Sequence, residues 1–311
     1  MICRYQELHK HETVFKALTG LQVSEFEQLV ADILPEYEQS EEKRLDHPDR
    51  VRGVGGGRNF DLAARDQILL TVIWLRKYPT QEVLGYLFGV SDSRAGRVLN
   101  RLLALLEKTG RATMKLPDPG RKKRRQLSDL LADTPELGVV IDTFEQRVQR
   151  PQEPQQADKH FSGKKRPHTL KSQVAIDELS GQVGDVAESV VGPTADIKLL
   201  EPSDRLNRLP EGVGVIADLA YVGLDKLHPQ GLAAAPGRKP RGKPRPQEDG
   251  AYHQAFSQRR IMVEHTMGRM RRYEAITQTD RHHRQLHTQR VVAMAGLVNR
   301  QIAHRFPGLV A

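Results

Sequence analysis

Two short valine-rich runs in this chain end in aspartate: Gly138-Val-Val-Ile-Asp142 and Val213-Gly-Val-Ile-Ala-Asp218. An acid directly after several apolar strand residues is unusual unless a sheet end presents it to something. Two such strands side by side bring two carboxylates to one end of a sheet. Further runs, LKSQVAID (170–177) and DVAESVVG (185–192), are also rich in valine and bounded by Gly, Pro and Asp, which reads as a sheet from about residue 138 onward.

The first 110 residues have a different period. Residues 11 to 45 read as helical, with a break at Thr19-Gly20. Ser24 is a candidate cap for a helix whose buried face carries Phe26, Leu29, Val30 and Ile33. The glycine-rich stretch 50–60 reads as a loop. Gly53, Gly55 and Gly57 lack the preceding strand and spacing of a dinucleotide fingerprint. A helix from 62 to 77 stops before Pro79, and Trp74 within it reads as core. Thr80 caps a second helix, Gly89 turns the chain, and Ser91 caps a third. Helix, glycine turn, then a helix opening on Ser91, Ser93, Arg94 and Arg97 describes a helix-turn-helix with Arg94 and Arg97 placed to contact DNA. The alternative is a plain bundle with solvated arginines.

Charge favours a polyanionic partner. The 311 residues carry a formal net charge of +9, clustered at Arg121–Arg125 and again at Arg238, Lys239, Arg241, Lys243 and Arg245. Residues 111–135 read as a basic linker between a helical region (1–110) and a sheet domain (136–311). The longest apolar run, Ile68 to Leu75, is too short to span a bilayer, and the first residues lack a secretory h-region. A cytoplasmic protein is expected. Cys3 is the single cysteine, so neither an intrachain disulfide nor a thiolate zinc cluster is available.

Residues 255 to 273 read as a helix with Phe256, Val263, Met267 and Met270 on its buried stripe, and Glu264 flanks that stripe where it can face the sheet. Asp142, Asp218 and Glu264 together supply hard oxygen ligands suited to Mg2+ and to phosphoryl transfer with two metal ions. Taken alone, each aspartate is more often a strand-end turn residue than a ligand. A final helix spans about 285 to 304.

The segment Arg260-I-M-V-Glu264-H-T-M-G-R-M-Arg271 resembles the transposase signature Tyr-x2-Arg-x3-Glu-x6-Lys, with Ser257 at the tyrosine position and Arg271 at the lysine position. YPTQEVLGYLFGVSDSRAGRVL resembles the N-terminal helix-turn-helix of the insertion sequence 5 family. HFSGKKRPHTLKSQVAID and ADLAYVG resemble its strands around the second acid. The resemblance spans about residues 12 to 305. It implies a DDE catalytic domain with an α/β, RNase H-like fold, a mixed sheet flanked by helices, behind an all-α region. It implies Asp142, Asp218 and Glu264 as catalytic metal ligands for Mg2+, with Mn2+ as a substitute, and Arg260 and Arg271 on terminal DNA. The implied partners are double-stranded DNA, both transposon ends and target, and further copies of the chain assembled on it in the nucleoid.

Lys164, Lys165, Arg166, His168 and Lys171 follow the first acid in a hairpin-like stretch, either on DNA phosphates or on a solvated face. His282, His283 and His287 read as a surface basic cluster rather than a metal site. Gly223 is expected to turn the chain after the second acid. Two rival functions remain at this point: a DNA-binding derivative without catalysis, and a nuclease that cuts without joining.

Overall fold

The computed structural model describes residues 3–45, 62–120, 134–135, 137–200, 206–221, 223–227, 233–235 and 247–310. The glycine-rich stretch, the block Arg121–Arg125 and the basic insert at 238–245 lie outside the described residues.

Six helices come first: α1 (Tyr5–Leu8), α2 (Glu12–Thr19), α3 (Val23–Leu45), α4 (Ala64–Lys77), α5 (Gln81–Phe88) and α6 (Asp92–Ala112). Gly20 ends α2 in the left-handed region, as the Thr19-Gly20 break requires. Helix α3 begins one residue before Ser24, so Ser24 is no cap. Its hydroxyl meets His304 Nε2 at 3.2 Å, and Glu25 instead reaches back to accept from the Gln22 amide at 2.5 Å. The second and third caps hold: Thr80 Oγ1 accepts from the Val83 amide and Ser91 Oγ from the Arg94 amide, at 3.3 and 3.2 Å. Between them Gly89 adopts φ 62°, the left-handed turn expected between α5 and α6.

The second half is a six-stranded mixed sheet: β1 (Leu137–Arg147), β2 (Thr169–Asp177), β3 (Val183–Val186), β4 (Val190–Val191), β5 (Val213–Ile216) and β6 (Ala233–Ala234). Its order is β3-β2-β1-β5-β6, with β4 also pairing β2. β2 is antiparallel to β1, whereas β5 is parallel to β1 and β6 to β5. The helices of this half are α7 (Pro154–His160), α8 (Leu224–Leu227), α9 (Gln247–Arg259), α10 (Ile261–Met270), α11 (Glu274–Thr277), α12 (His287–Arg305) and α13 (Pro307–Val310).

Alternation along the strands divides two cores. Val139, Ile141, Val213, Val215 and Ala217 pack on one face with Leu200, Leu206 and Tyr221. Val140, Val174, Ile176 and Ile216 pack on the other, in a core shared with α10, α12 and the N-terminal helices. The two regions therefore bury one continuous apolar surface. Helices α6 and α12 approach at Gly110 and Gly296, where a Cβ on Gly296 would fall 2.4 Å from the Gly110 Cα; any side chain there would drive them apart. Trp74 is buried, 5.5 Å from the His282 ring, as its core reading requires. Among the described residues no helix is long and apolar enough to cross a membrane.

Candidate active site

Asp142 lies in the middle of β1 rather than at its end. The strand runs on to Arg147 because β2 pairs with it throughout, from Val139↔Asp177 to Arg147↔Thr169. The polar stretch after Asp142 hides that continuation from apolar periodicity. The parallel β1–β5 ladder stops at Val140↔Ile216, and Asp142 and Asp218 each stand two residues further on. Alternation along β1 places Asp142 on the side of the sheet that carries Val140, beneath α10 and α12. Asp218 leaves the strand: its Oδ1 accepts from the Ala220 amide at 2.8 Å, starting a short 3-10 turn at Leu219–Tyr221. Gly223 then takes φ 98°, the conformation expected of the turn residue.

Glu264 projects from α10, exposed, at the flank of the buried stripe Val263, Thr266, Met267 and Met270. The helix expected over 255–273 is two helices joined at Arg260. There the Arg260 amide bonds to the Ser257 carbonyl and the Val263 amide to the Arg260 carbonyl, both three residues apart. Two contacts hold the pair of helices against the β2–β3 turn. Arg259, in α9, binds both oxygens of Glu178, and Thr266 Oγ1 donates to the Gly181 carbonyl at 2.6 Å. Glu264 lies between these anchors, so the turn fixes how α10 sits over the acids.

Both other acids act on Asp142. Burial raises the Asp142 pKa, and the charges of Asp218 and Glu264 raise it further; the Thr143 amide and Arg260 oppose the rise. Excess negative charge around a partly buried carboxylate is what a divalent cation relieves, and three carboxylates are the hard donors that Mg2+ prefers. The donor set therefore fits such an ion in kind. Among the described residues no three His, Cys, Asp or Glu side chains converge tightly enough to hold a metal by themselves.

A groove of about 720 Å3 begins beside the acids, at Thr143 and Ala220, and Lys164, Lys165 and Arg271 line it. The structure thus brings three of the expected basic residues to one groove, whose lining includes Glu145 and Asp196 but none of the three acids. Lys164 and Lys165 lie in the hairpin closed by the Phe161–His168 bridge, where Arg166 takes φ 62°. Lys171 also borders the groove but is buried and held by Asp196 at 2.6 Å, so its charge is spent within the fold. Arg260 is half-buried and its Nε has no acceptor among the described residues. Arg94 and Arg97 lie on α6 away from the acids, flanking a smaller hollow with Arg44 and Arg101.

The histidines differ from their reading as a surface cluster. His287 is buried, with Nε2 2.8 Å from Gln146 Oε1 and Nδ1 2.8 Å from Ser189 Oγ. The Gln146 amide nitrogen is already used on the Ala275 and Gln278 carbonyls, so Gln146 Oε1 accepts and His287 donates from Nε2. His282 packs its ring on Trp74. Only His283 stays exposed. Their i, i+4 spacing carried no information about burial, because His283 precedes α12 instead of belonging to it. Sequence reading also missed Arg150 and Arg284, which line a neighbouring hollow of about 550 Å3 farther along the strand from Asp142. They come from separate segments, and no motif joins them.

The family described as DDE superfamily endonuclease matches residues 141–299, a span that contains Asp142, Asp218 and Glu264. The helix-turn-helix of DDE superfamily endonuclease matches residues 60–112, which hold α4, α5 and α6. A protein of Microchaete diplosiphon named "Probable transposase for insertion sequence element IS702" is 28% identical over 289 residues, covering 93% of this chain and 94% of that one. No solved structure matches the chain. With Asp142 in the central strand β1, Asp218 just past the neighbouring β5 and a helical unit ahead of them, the chain belongs to the DDE superfamily endonucleases, of the transposase type and with their helix-turn-helix.

Proposed function

We propose that this protein is a transposase of the insertion sequence 5 group that binds the ends of a mobile DNA segment, cuts them and joins them to target DNA. The observation that carries the reading is the pairing of Asp142 and Asp218 two residues beyond a parallel ladder, with Glu264 acting on Asp142 from the helix above. In this reading residues 1–110 read the terminal sequence through Arg94 and Arg97 on α6, residues 111–135 connect, and residues 136–311 do the chemistry. Asp142, Asp218 and Glu264 would hold the divalent cations, Mg2+ or Mn2+. Bound there, such ions supply Lewis acidity that activates the attacking oxygen and stabilises the leaving one.

The protein's own groups define the rest. Lys164, Lys165 and Arg271 along the groove, with Arg260 beside Asp142, grip the phosphates around the scissile bond. Water attacks a terminal phosphodiester, the phosphorus–oxygen bond breaks, and the freed 3′-hydroxyl then attacks a target strand. Copies of the chain assemble on paired ends in the nucleoid of a cytoplasmic host. The test uses duplexes carrying the inverted repeats that flank the reading frame. Replacing Asp142, Asp218 or Glu264 by Ala should abolish cleavage and leave end binding intact. A cleaving Asp218→Ala protein overturns the assignment, and precut ends that are never joined reduce it to a nuclease.

A further inference from the structure

Lys16, Arg76, Arg269, Arg272, His304 and Arg305 converge on one hollow of about 330 Å3. It lies where α2 and α4 of the N-terminal region meet the end of α10 and the end of α12. None of its lining residues borders the groove that contains Arg271. Its floor is close-fitting: Gln301 Nε2 donates to the Gly20 carbonyl at 2.8 Å, and the Arg76 guanidinium lies 5.2 Å from the Tyr273 ring centre. A Cβ on Gly20 would come within 3.2 Å of the Tyr273 hydroxyl and 3.4 Å of Arg76 Nε.

Basic groups outnumber the acids there. Among the described residues, Arg76, Arg269, Arg272 and Arg305 form no ion pair, and Arg76 Nε and Arg269 Nη1 are buried without an acceptor. Glu25 is the carboxylate on the wall. Its Oε2 accepts from the Gln22 amide and its Oε1 lies 4.0 Å from His304 Nδ1. Burial lowers the Arg269 pKa first, then the charges of Arg305 and Arg272; burial lowers that of Arg76 first, with Arg272 adding to it and Tyr273 and Glu274 opposing it. Packing four guanidinium groups around a partly dry hollow costs free energy unless an anion joins them. Guanidinium forks suit a tetrahedral oxyanion, which offers several acceptors at once.

We propose that this hollow binds a phosphate group, apart from the catalytic acids, and so ties the N-terminal helices to the helix that carries Glu264. The phosphate comes either from the DNA backbone or from a free phosphate compound. The test uses the full chain with two probes, inorganic pyrophosphate and a mixed-sequence duplex, and the variants Arg269→Gln and Arg272→Gln. Arg272 is exposed, so its variant keeps the fold, as circular dichroism checks. Pyrophosphate should raise the melting temperature of the wild type beyond sodium chloride of equal ionic strength, and bind each variant tenfold more weakly or worse. A backbone source predicts that each substitution also lowers the slope of log affinity for duplex against log salt by about 1. An unchanged slope with a lost pyrophosphate response identifies a free phosphate compound. If neither probe responds to either substitution, the site does not exist. Neither readout involves cleavage, so a failed nuclease assignment leaves the result interpretable.

Discussion

The Arg259 guanidinium grips both carboxylate oxygens of Glu178, each at 2.6 Å, with both side chains sealed from solvent. The same guanidinium reaches Thr134 Oγ1 and the Pro135 carbonyl, at 2.6 and 2.7 Å. One residue thus ties the approach to β1, the β2–β3 turn and the end of α9 together. Removing one partner of such a pair leaves a buried, uncompensated charge. Glu178→Ala should therefore cost on the order of 3–5 kcal/mol in a denaturant titration. Replacing both residues with apolar ones of similar volume should cost clearly less. Equal losses for the single and double variants would show that packing, not charge, holds this junction.

The start of α6 separates stability from recognition. Ser91 caps the helix through the Arg94 amide, so Ser91→Ala should lower stability by about 1 kcal/mol. Arg97 is exposed and its Nε is 3.3 Å from the Ser93 carbonyl, so Arg97→Ala should leave melting unchanged. In a gel-shift titration it should weaken binding to the element's ends by about 1–3 kcal/mol, and binding to random duplex by less. Equal losses on both would make Arg97 a phosphate contact.

His287 makes stability depend on pH. Burial, with Arg290 nearby, lowers its pKa to about 4, against 6.5 for an ordinary histidine. In that interval the unfolded chain binds the extra proton, so stability is full above pH 6.5 and falls as pH drops toward 4. The loss attached to this one residue is on the order of 3 kcal/mol at the lower limit. A variant that stays folded without an imidazole, such as His287→Asn, should flatten this part of the curve. Urea midpoints between pH 4 and 7 that stay parallel for the two proteins would remove His287 as the cause.

Arg260 and Arg271 sit at the two ends of α10, one acting on the acids and one in the groove. Arg260→Ala and Arg271→Ala should each slow cleavage of transposon ends tenfold or more, about 1.4 kcal/mol in the barrier, with little change in melting temperature. A fall in melting without a fall in cleavage per folded molecule would make both structural.

Local chemistry was legible in the chain. Thr80, Gly89 and Ser91 mark helix ends through their own backbone and hydroxyl geometry, and the structure has them there. The apolar stripe Phe256, Val263, Met267 and Met270 is buried as its spacing indicates. What was misread depended on partners far along the chain. Asp142 reads as a strand end until β2 is seen to pair beyond it, and Ser24 reads as a cap until Glu25 turns back to take the Gln22 amide. The histidines 282 and 287 read as surface residues because nothing near them in sequence announces Trp74, Gln146 or Ser189.

By itself, the sequence indicated the main helices and strands, the charge that calls for a polyanion, and the acids worth watching. These follow from side-chain period, capping and composition, which act over a few residues. Only the tertiary structure decided that Asp142 and Asp218 share a register and that Glu178 anchors the link to the Glu264 helix. It alone gathered arginines from α4, α10 and α12 into one hollow. Register, buried ion pairs and convergent charge depend on which distant segments pack together, and that is settled by burial of one shared apolar core rather than by any local signal.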